Sequence, residues 1–115
     1  MFELSWSPEA TEQYNSLKAA SDSQQASRKK RSKKKSTKAE GLFKQVCKTL
    51  MFLRENPKHN SLQTHEYHSL PHPWDSMEKV FEAYVQQDTP GAYRLFWCYG
   101  PNQGQIRIIS ITPHP

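Results

Sequence analysis

Three β-rich runs crowd the last third of the chain: Val80–Val85, Tyr93–Tyr99 and Gln105–Ile111. The stretches between them, Asp88-Thr89-Pro90-Gly91 and Gly100-Pro101-Asn102-Gln103-Gly104, hold the residue types that favour tight reversals. Strands joined so closely pair antiparallel, because a parallel neighbour needs a long crossover. The spacing predicts a β-meander that runs out at His114. Within it, side chains alternate between faces. Tyr93, Leu95, Trp97 and Tyr99 share one face, and Arg94, Phe96 and Cys98 share the other. The first set is bulkier and is expected to pack against helices, which leaves Arg94 on the open face. A cation in an apolar run is costly to leave unpaired. Two partners are consistent with Arg94: the carboxylate of Glu82 on the neighbouring strand, or a phosphate, whose geometry suits the guanidinium fork.

The first half reads as strand, helix, helix. Phe2-Glu3-Leu4-Ser5-Trp6 alternates as a half-buried strand does. Ser7-Pro8-Glu9 then supplies a capping hydroxyl, a proline at the first helical position and an early carboxylate. Ala10, Tyr14 and Leu17 follow at helical spacing, which predicts a helix from Pro8 to about Ala20. From Ser21 to Ser36 no apolar period is present, and a loop is expected. Thr37-Lys38-Ala39-Glu40 is a capping box that opens a second helix. Its apolar stripe is Leu42, Phe43, Val46, Cys47, Leu50 and Leu53, and Asn56-Pro57 ends it. Lys58 to Met77 is poor in apolar residues and is expected to be loop, with at most a short strand between Leu62 and Leu70. The order is β-α-α-β-β-β, an α+β fold with a helical hairpin on one face of a mainly antiparallel sheet. At 115 residues this is one domain, 1–115.

Charge is concentrated rather than spread. Arg28, Lys29, Lys30, Arg31, Lys33, Lys34, Lys35 and Lys38 make up half of the 16 basic residues, inside the expected loop at about 21–36 and just beyond it. The rest of the chain has 8 basic residues against 11 acidic ones. Such a run stays solvated, and its chemistry suits polyphosphate, where neutralised phosphates release counterions. No apolar run approaches the ~20 residues needed to cross a bilayer, and Met1–Ala10 lacks the pattern of a secretory signal. Cys47 and Cys98 show no metal spacing, and reduced thiols in the cytoplasm are expected. His65, His68 and His72 lack a helical frame and a completing cysteine or carboxylate, so no metal site is expected. His59 and His72 read as surface residues, whereas His114 is carried by a strand to the end of the sheet that holds Arg94.

Read in order, Asn56-Pro57, Ser61-Leu62-Gln63-Thr64-His65, Val80-Phe81-Glu82-Ala83-Tyr84-Val85, Tyr93-Arg94-Leu95 and Ile111-Thr112-Pro113-His114 resemble the RelE/ParE toxin superfamily. These are small toxins of bacterial type II toxin–antitoxin modules. The resemblance implies a ribosome-dependent mRNA endoribonuclease in the RelE-like branch, or a DNA gyrase inhibitor without nuclease activity in the ParE-like branch. A degenerate, inactive member acting as a binding module is a third alternative. For the ribonuclease, the resemblance implies Arg94 on the scissile phosphate and His114 as the acid, with either His65 or Glu82 as the base. Tyr84 and Arg107 become candidate substrate contacts, with Tyr84 or Trp97 able to stack on a base. The chemistry is 2′-hydroxyl attack, needing no cofactor. The implied partners are a protein antitoxin, the ribosome with its RNA, and mRNA, with the basic run as an electrostatic anchor. Two departures from the family stand out. Glu82 and Tyr84 stand where one branch carries a lysine pair, and the basic loop looks like an insertion.

Overall fold

The computed structural model describes residues 1–30, 37–87 and 89–114. Strand β1 spans Glu3–Trp6, helix α1 Pro8–Lys30 and helix α2 Lys38–Glu55. A 3-10 turn at Asn60–Leu62 leads to β2 (His65–Glu66), β3 (Phe81–Tyr84), β4 (Tyr93–Tyr99) and β5 (Gln105–Pro113). The strands form one sheet in the order β1-β5-β4-β3-β2. The expected meander is present: β2, β3, β4 and β5 pair antiparallel in succession. β1 lies parallel to β5, with Leu4 opposite Ile106. The helices thus carry the chain from one edge of the sheet to the other, and the meander brings it back. The fold is α+β, as the sequence predicts, with two-residue β2 as a fifth strand.

Local chemistry explains the helix boundaries. Ser7 Oγ accepts from the Ala10 N–H at 2.9 Å and donates to the Ile109 carbonyl at 2.7 Å, so the same hydroxyl caps α1 and ties it to β5. The capping box of α2 is formed in both directions between Thr37 and Glu40. Replacing Thr37 by Ala removes one of these bonds and should lower stability by about 1 kcal/mol, read as a shift in the urea midpoint at constant slope. α1 runs ten residues past its expected end at Ala20. Alanine, glutamine and lysine are good helix formers that need no apolar partner, and Lys18 pairs with Asp22 one turn on at 3.0 Å. Of the eight cations, Arg28, Lys29 and Lys30 therefore close α1 and Lys38 opens α2, while Arg31, Lys33, Lys34 and Lys35 lie outside the described residues.

The core lies between the helices and one sheet face. Val46, Leu50 and Leu53 of α2 and Ala10 of α1 meet Ala83, Leu95, Trp97, Ile106, Ile108 and Ile111, all buried. Tyr14 bridges the helices to β1, with its ring 5.3 Å from that of Trp6 and 5.4 Å from that of Phe43. Simple alternation puts Ile111 opposite to Ile106 and Ile108, yet all three are core. The register explains it: Phe96 pairs with Ser110 but Trp97 pairs with Ile108, so Ile109 is an extra residue, a β-bulge. The bulge switches parity along β5. Arg107, Ser110 and Thr112 then share the face opposite the helices, and His114 follows on that face.

Among the described residues, no helix is long and apolar enough to cross a membrane. The β4–β5 turn is closed by Gly100, whose φ of +104° is rarely open to a side chain. A Cβ there would also come within 2.7 Å of the Trp74 ring. Burial pushes the Cys98 thiol up to about 11, against the pull of the Arg107 guanidinium. Cys98 is therefore a buried apolar filler rather than a nucleophile.

Candidate functional site

Glu82 is the centre of the candidate site. It stands in the middle of β3 on the face away from the helices, only 2% exposed. A carboxylate so placed needs compensation. Pairing sets His65 of β2 directly opposite Glu82, and His65 Nε2 lies 2.6 Å from Glu82 Oε1. From the other side His114 Nε2 approaches Glu82 Oε2 at 3.6 Å, within ion-pair range. Both histidines keep about half of their side-chain surface open to solvent, at 46% and 48%. A buried carboxylate is thus flanked by two solvent-accessible imidazoles. Three residues separated by up to 49 positions in sequence meet through three strand pairings and a bulge.

Arg94 occupies the same face one register row away, with Tyr84 beside it on β3 and Thr112 on β5. Its guanidinium lies over the Tyr84 ring at 3.8 Å, a favourable cation–π geometry. Nη1 donates to the Gln86 carbonyl at 2.6 Å and to the Tyr93 carbonyl at 3.2 Å. The guanidinium is therefore aimed by backbone and ring together, and Nε is buried without a hydrogen-bond partner among the described residues. Glu82 and Arg94 do not form the ion pair that was one expected partner for Arg94. The carboxylate is taken by the histidines, and Arg94 is held by main-chain oxygens instead. The His65 ring meets the edge of Tyr84 at 5.7 Å, so His65, Glu82, Tyr84, Arg94 and His114 form one continuous cluster.

Other candidates fall elsewhere. Arg107 shares the face but sits in the row of Cys98. That is four residues along β4 from Arg94, about 13 Å at strand rise, so it does not join the cluster. Trp97 is 1% exposed on the helix side and is not available for stacking on a base. The face is also less open than alternation suggests. Phe96 and Cys98 are buried, at 1% and 0% exposed, and Tyr67 covers Phe96 with ring centres 4.7 Å apart. Among the described residues of this face, Tyr84, Arg94, Arg107 and Thr112 keep partial exposure, whereas Glu82, Phe96, Cys98 and Ser110 are buried.

The remaining histidines have local duties. His59 Nδ1 accepts from the Ser61 N–H, and its ring stacks on Phe52 at 4.1 Å. His72 Nδ1 accepts from the Trp74 and Asp75 N–H groups. His68 pairs with Glu66 at 3.3 Å. Among the described residues, no group of three or more His, Cys, Asp or Glu side chains is placed to hold a metal ion. Two contributors escape sequence reasoning: Gln86, which aims Arg94 with a main-chain oxygen, and Gln63, whose carbonyl lies 2.9 Å from His65 Nδ1. Main-chain groups carry no sequence signal.

No protein-family profile matches the sequence, and no curated protein matches it. Solved structures do. A YoeB/ParE toxin from Agrobacterium tumefaciens superposes with a TM-score of 0.60 over 98% of this chain and 99% of its own, at 10% identity. A copper-bound mutant toxin from Helicobacter pylori superposes with a TM-score of 0.52 over 99% of this chain and 96% of its own, at 12% identity. At such identities shape is what is shared, and the shape is specific: two helices on one face of a five-stranded mixed sheet, the RelE/ParE-type toxin fold.

Proposed function

We propose that the chain is the toxin of a type II toxin–antitoxin module and acts as a ribosome-dependent mRNA endoribonuclease. The observation that carries this reading is the buried Glu82 between His65 and His114, with Arg94 oriented beside it. Burying a carboxylate between two imidazoles is a costly arrangement for a protein that works by surface contact alone. It is what proton transfer requires, because imidazole titrates near neutral pH and a fixed carboxylate holds the ring in orientation.

Cleavage by the RNA's own 2′-hydroxyl needs three services. One group takes the proton from that hydroxyl, a cation meets the charge on the phosphorane, and another group protonates the departing 5′ oxygen. Arg94 supplies the cation, with Nη1 held by two carbonyls and the rest of the fork directed to phosphate. The two histidines supply the proton chemistry. Glu82, buried 2.6 Å from His65 and 3.6 Å from His114, orients His65 in this scheme and meets His114 only at ion-pair range. The basic run from Arg28 to Lys38 adds sequence-independent affinity for ribosomal RNA. A protein antitoxin is the implied partner, as the toxin fold suggests.

The test is induction of the protein in growing cells, followed by mapping of mRNA 5′ ends on polysomes and an assay of gyrase supercoiling. New 5′ ends within translated codons, with supercoiling intact, are expected. Supercoiling blocked while mRNA stays whole would replace this reading with gyrase inhibition.

A further inference from the structure

We propose that Trp74 and Arg107 form a second RNA subsite, which holds one nucleotide of the message away from the cut linkage. Trp74 stacks on its base and Arg107 takes its phosphate. The inference rests on the ribonuclease reading and adds a second point of substrate contact to it.

Arg107 is an uncommitted cation. It stands in the row of Cys98, on the face away from the helices, and it is partly exposed. Arg94 is held by two carbonyls and a ring, whereas Arg107 has no hydrogen bond and no ion pair among the described residues. Its neighbour across the parallel pairing is Ser5, which has no charge to offer. The nearest carboxylate by register is Glu3, two residues back along β1, and Glu3 Oε1 accepts from Gln105 Nε2 at 2.9 Å. Nε of Arg107 is enclosed by the sheet, so the two terminal nitrogens are the part of the fork that meets a ligand. Two parallel N–H donors from a guanidinium match two oxygens of a phosphate.

Trp74 is a second, independent signal. Of the three tryptophans, Trp97 is in the core and Trp6 packs against it, but Trp74 is 46% exposed. Leaving so large a ring in water forfeits the gain from burying it. The ring is nevertheless held in place. The His72 ring meets it edge-on at 4.7 Å and 87°, and His72 Nδ1 accepts from the Trp74 N–H at 3.3 Å. On another side the ring lies against Gly100, where a Cβ would come 2.7 Å from Trp74 Cζ2. Asp75, next in sequence, is occupied with the Met77 N–H at 2.9 Å. A rigid, half-exposed aromatic ring suits a flat apolar partner, and stacking on a nucleobase is indifferent to which base it is.

The sheet brings ring and cation together. Cys98 pairs with Arg107, and two residues on, the Gly100 N–H donates to the Gln105 carbonyl at 2.9 Å. Gly100 is therefore a diagonal neighbour of Arg107, about 7–8 Å away and within reach of long and aromatic side chains. A base and its phosphate can bridge that span. The same pairing of ring and arginine recurs at Tyr84 and Arg94, about 13 Å away along β4. RNA is favoured over a protein ligand for this reason: a strand laid along β4 meets a ring and an arginine at each end.

The experiment uses ribosomes programmed with a short synthetic mRNA that the wild-type protein cuts. Companion messages carry one abasic nucleotide, or one neutral methylphosphonate linkage, moved stepwise through the positions flanking the cut. At one such position the abasic nucleotide should raise the wild-type KM roughly 10-fold, the scale of one stacked base. Trp74→Ala should raise KM on the intact message by a similar factor, with kcat little changed, and should be indifferent to the abasic nucleotide. One contact cannot be lost twice. Trp74→Phe, which keeps a ring, should retain most of the affinity and the abasic sensitivity. Arg107→Gln should raise KM likewise and lose sensitivity to the methylphosphonate. Wild-type KM in both Trp74→Ala and Arg107→Gln overturns the subsite. So does a raised KM that keeps full sensitivity to every modified message, which would place the ring and the cation on a protein or on ribosomal RNA. Should Trp74→Ala not fold, wild-type protein on the abasic series together with Arg107→Gln decides. Wild-type protein that cuts no message refutes the ribonuclease reading and the subsite with it, a failure distinct from cleavage that ignores Trp74 and Arg107.

Discussion

Arg94→Ala is expected to slow cleavage of ribosome-bound mRNA by about 10²–10³-fold, the usual cost of removing one preorganised group that meets developing charge. Growth arrest on induction should be lost with it. Arg94 is the cation of the cluster nearest the reacting phosphate in the proposed scheme, and its geometry is fixed in advance by the Gln86 and Tyr93 carbonyls and the Tyr84 ring. Arg94→Lys should fail almost as badly. An ammonium is a point charge that cannot hold two carbonyls, cover a ring and present a fork to phosphate together. His114→Ala should match it in depth, since acid–base groups contribute about 10²–10⁴-fold. His114 is half exposed at the end of β5, so its removal should leave the unfolding midpoint close to that of the parent. Loss of activity with the fold intact is the signature sought. Cleavage by either variant at the parental rate would remove the cluster from the mechanism.

The largest effect on stability should come from Trp97→Ala, at about 3–5 kcal/mol. Trp97 is 1% exposed, with its ring centre 4.8 Å from Phe81 and 4.9 Å from Tyr99. No other side chain in the core is larger, and a domain of this kind is stable by only about 5–15 kcal/mol in total. The urea midpoint should fall steeply, and at 37 °C much of the variant should be unfolded. Trp97→Phe makes an informative comparison. The indole N–H is buried with no acceptor among the described residues, so exchange for phenyl removes an unsatisfied donor along with some volume. Its cost should be well under half that of the alanine variant. Equal losses for the two would mean that the indole N–H is bonded after all.

Much of this architecture was legible because local chemistry dictates it. The Thr37–Glu40 box, the apolar stripe of α2 and the Asn56-Pro57 stop are short-range signals, and the structure uses each as written. The β4 boundaries Tyr93–Tyr99 follow from alternation between two turns. α1 was underestimated because its outer half has propensity without an apolar face, and periodicity registers only burial. The Arg94–Glu82 ion pair was a sound expectation for two opposite charges on adjacent strands, and it fails because two histidines reach the carboxylate first. Nothing in a glutamine announces a left-handed backbone, so Gln63 was invisible as a contributor to the site.

His114 shows most clearly where sequence ends and tertiary structure begins. The amino-acid order alone determined the elements, their sequence along the chain and the meander that brings Arg94 to a face without helices. Those outcomes depend on residues a few positions apart, where capping, turn chemistry and alternation act. Which face His114 would occupy depended on a single extra residue, Ile109, bulged out of the β4–β5 ladder. Without that bulge, strict alternation would put His114 on the helix side with Ile106 and Ile108, and away from Glu82. A bulge arises from how two strands settle against one core, so it is a property of the packed sheet. The meeting of His65, Glu82 and His114 was therefore decided in three dimensions.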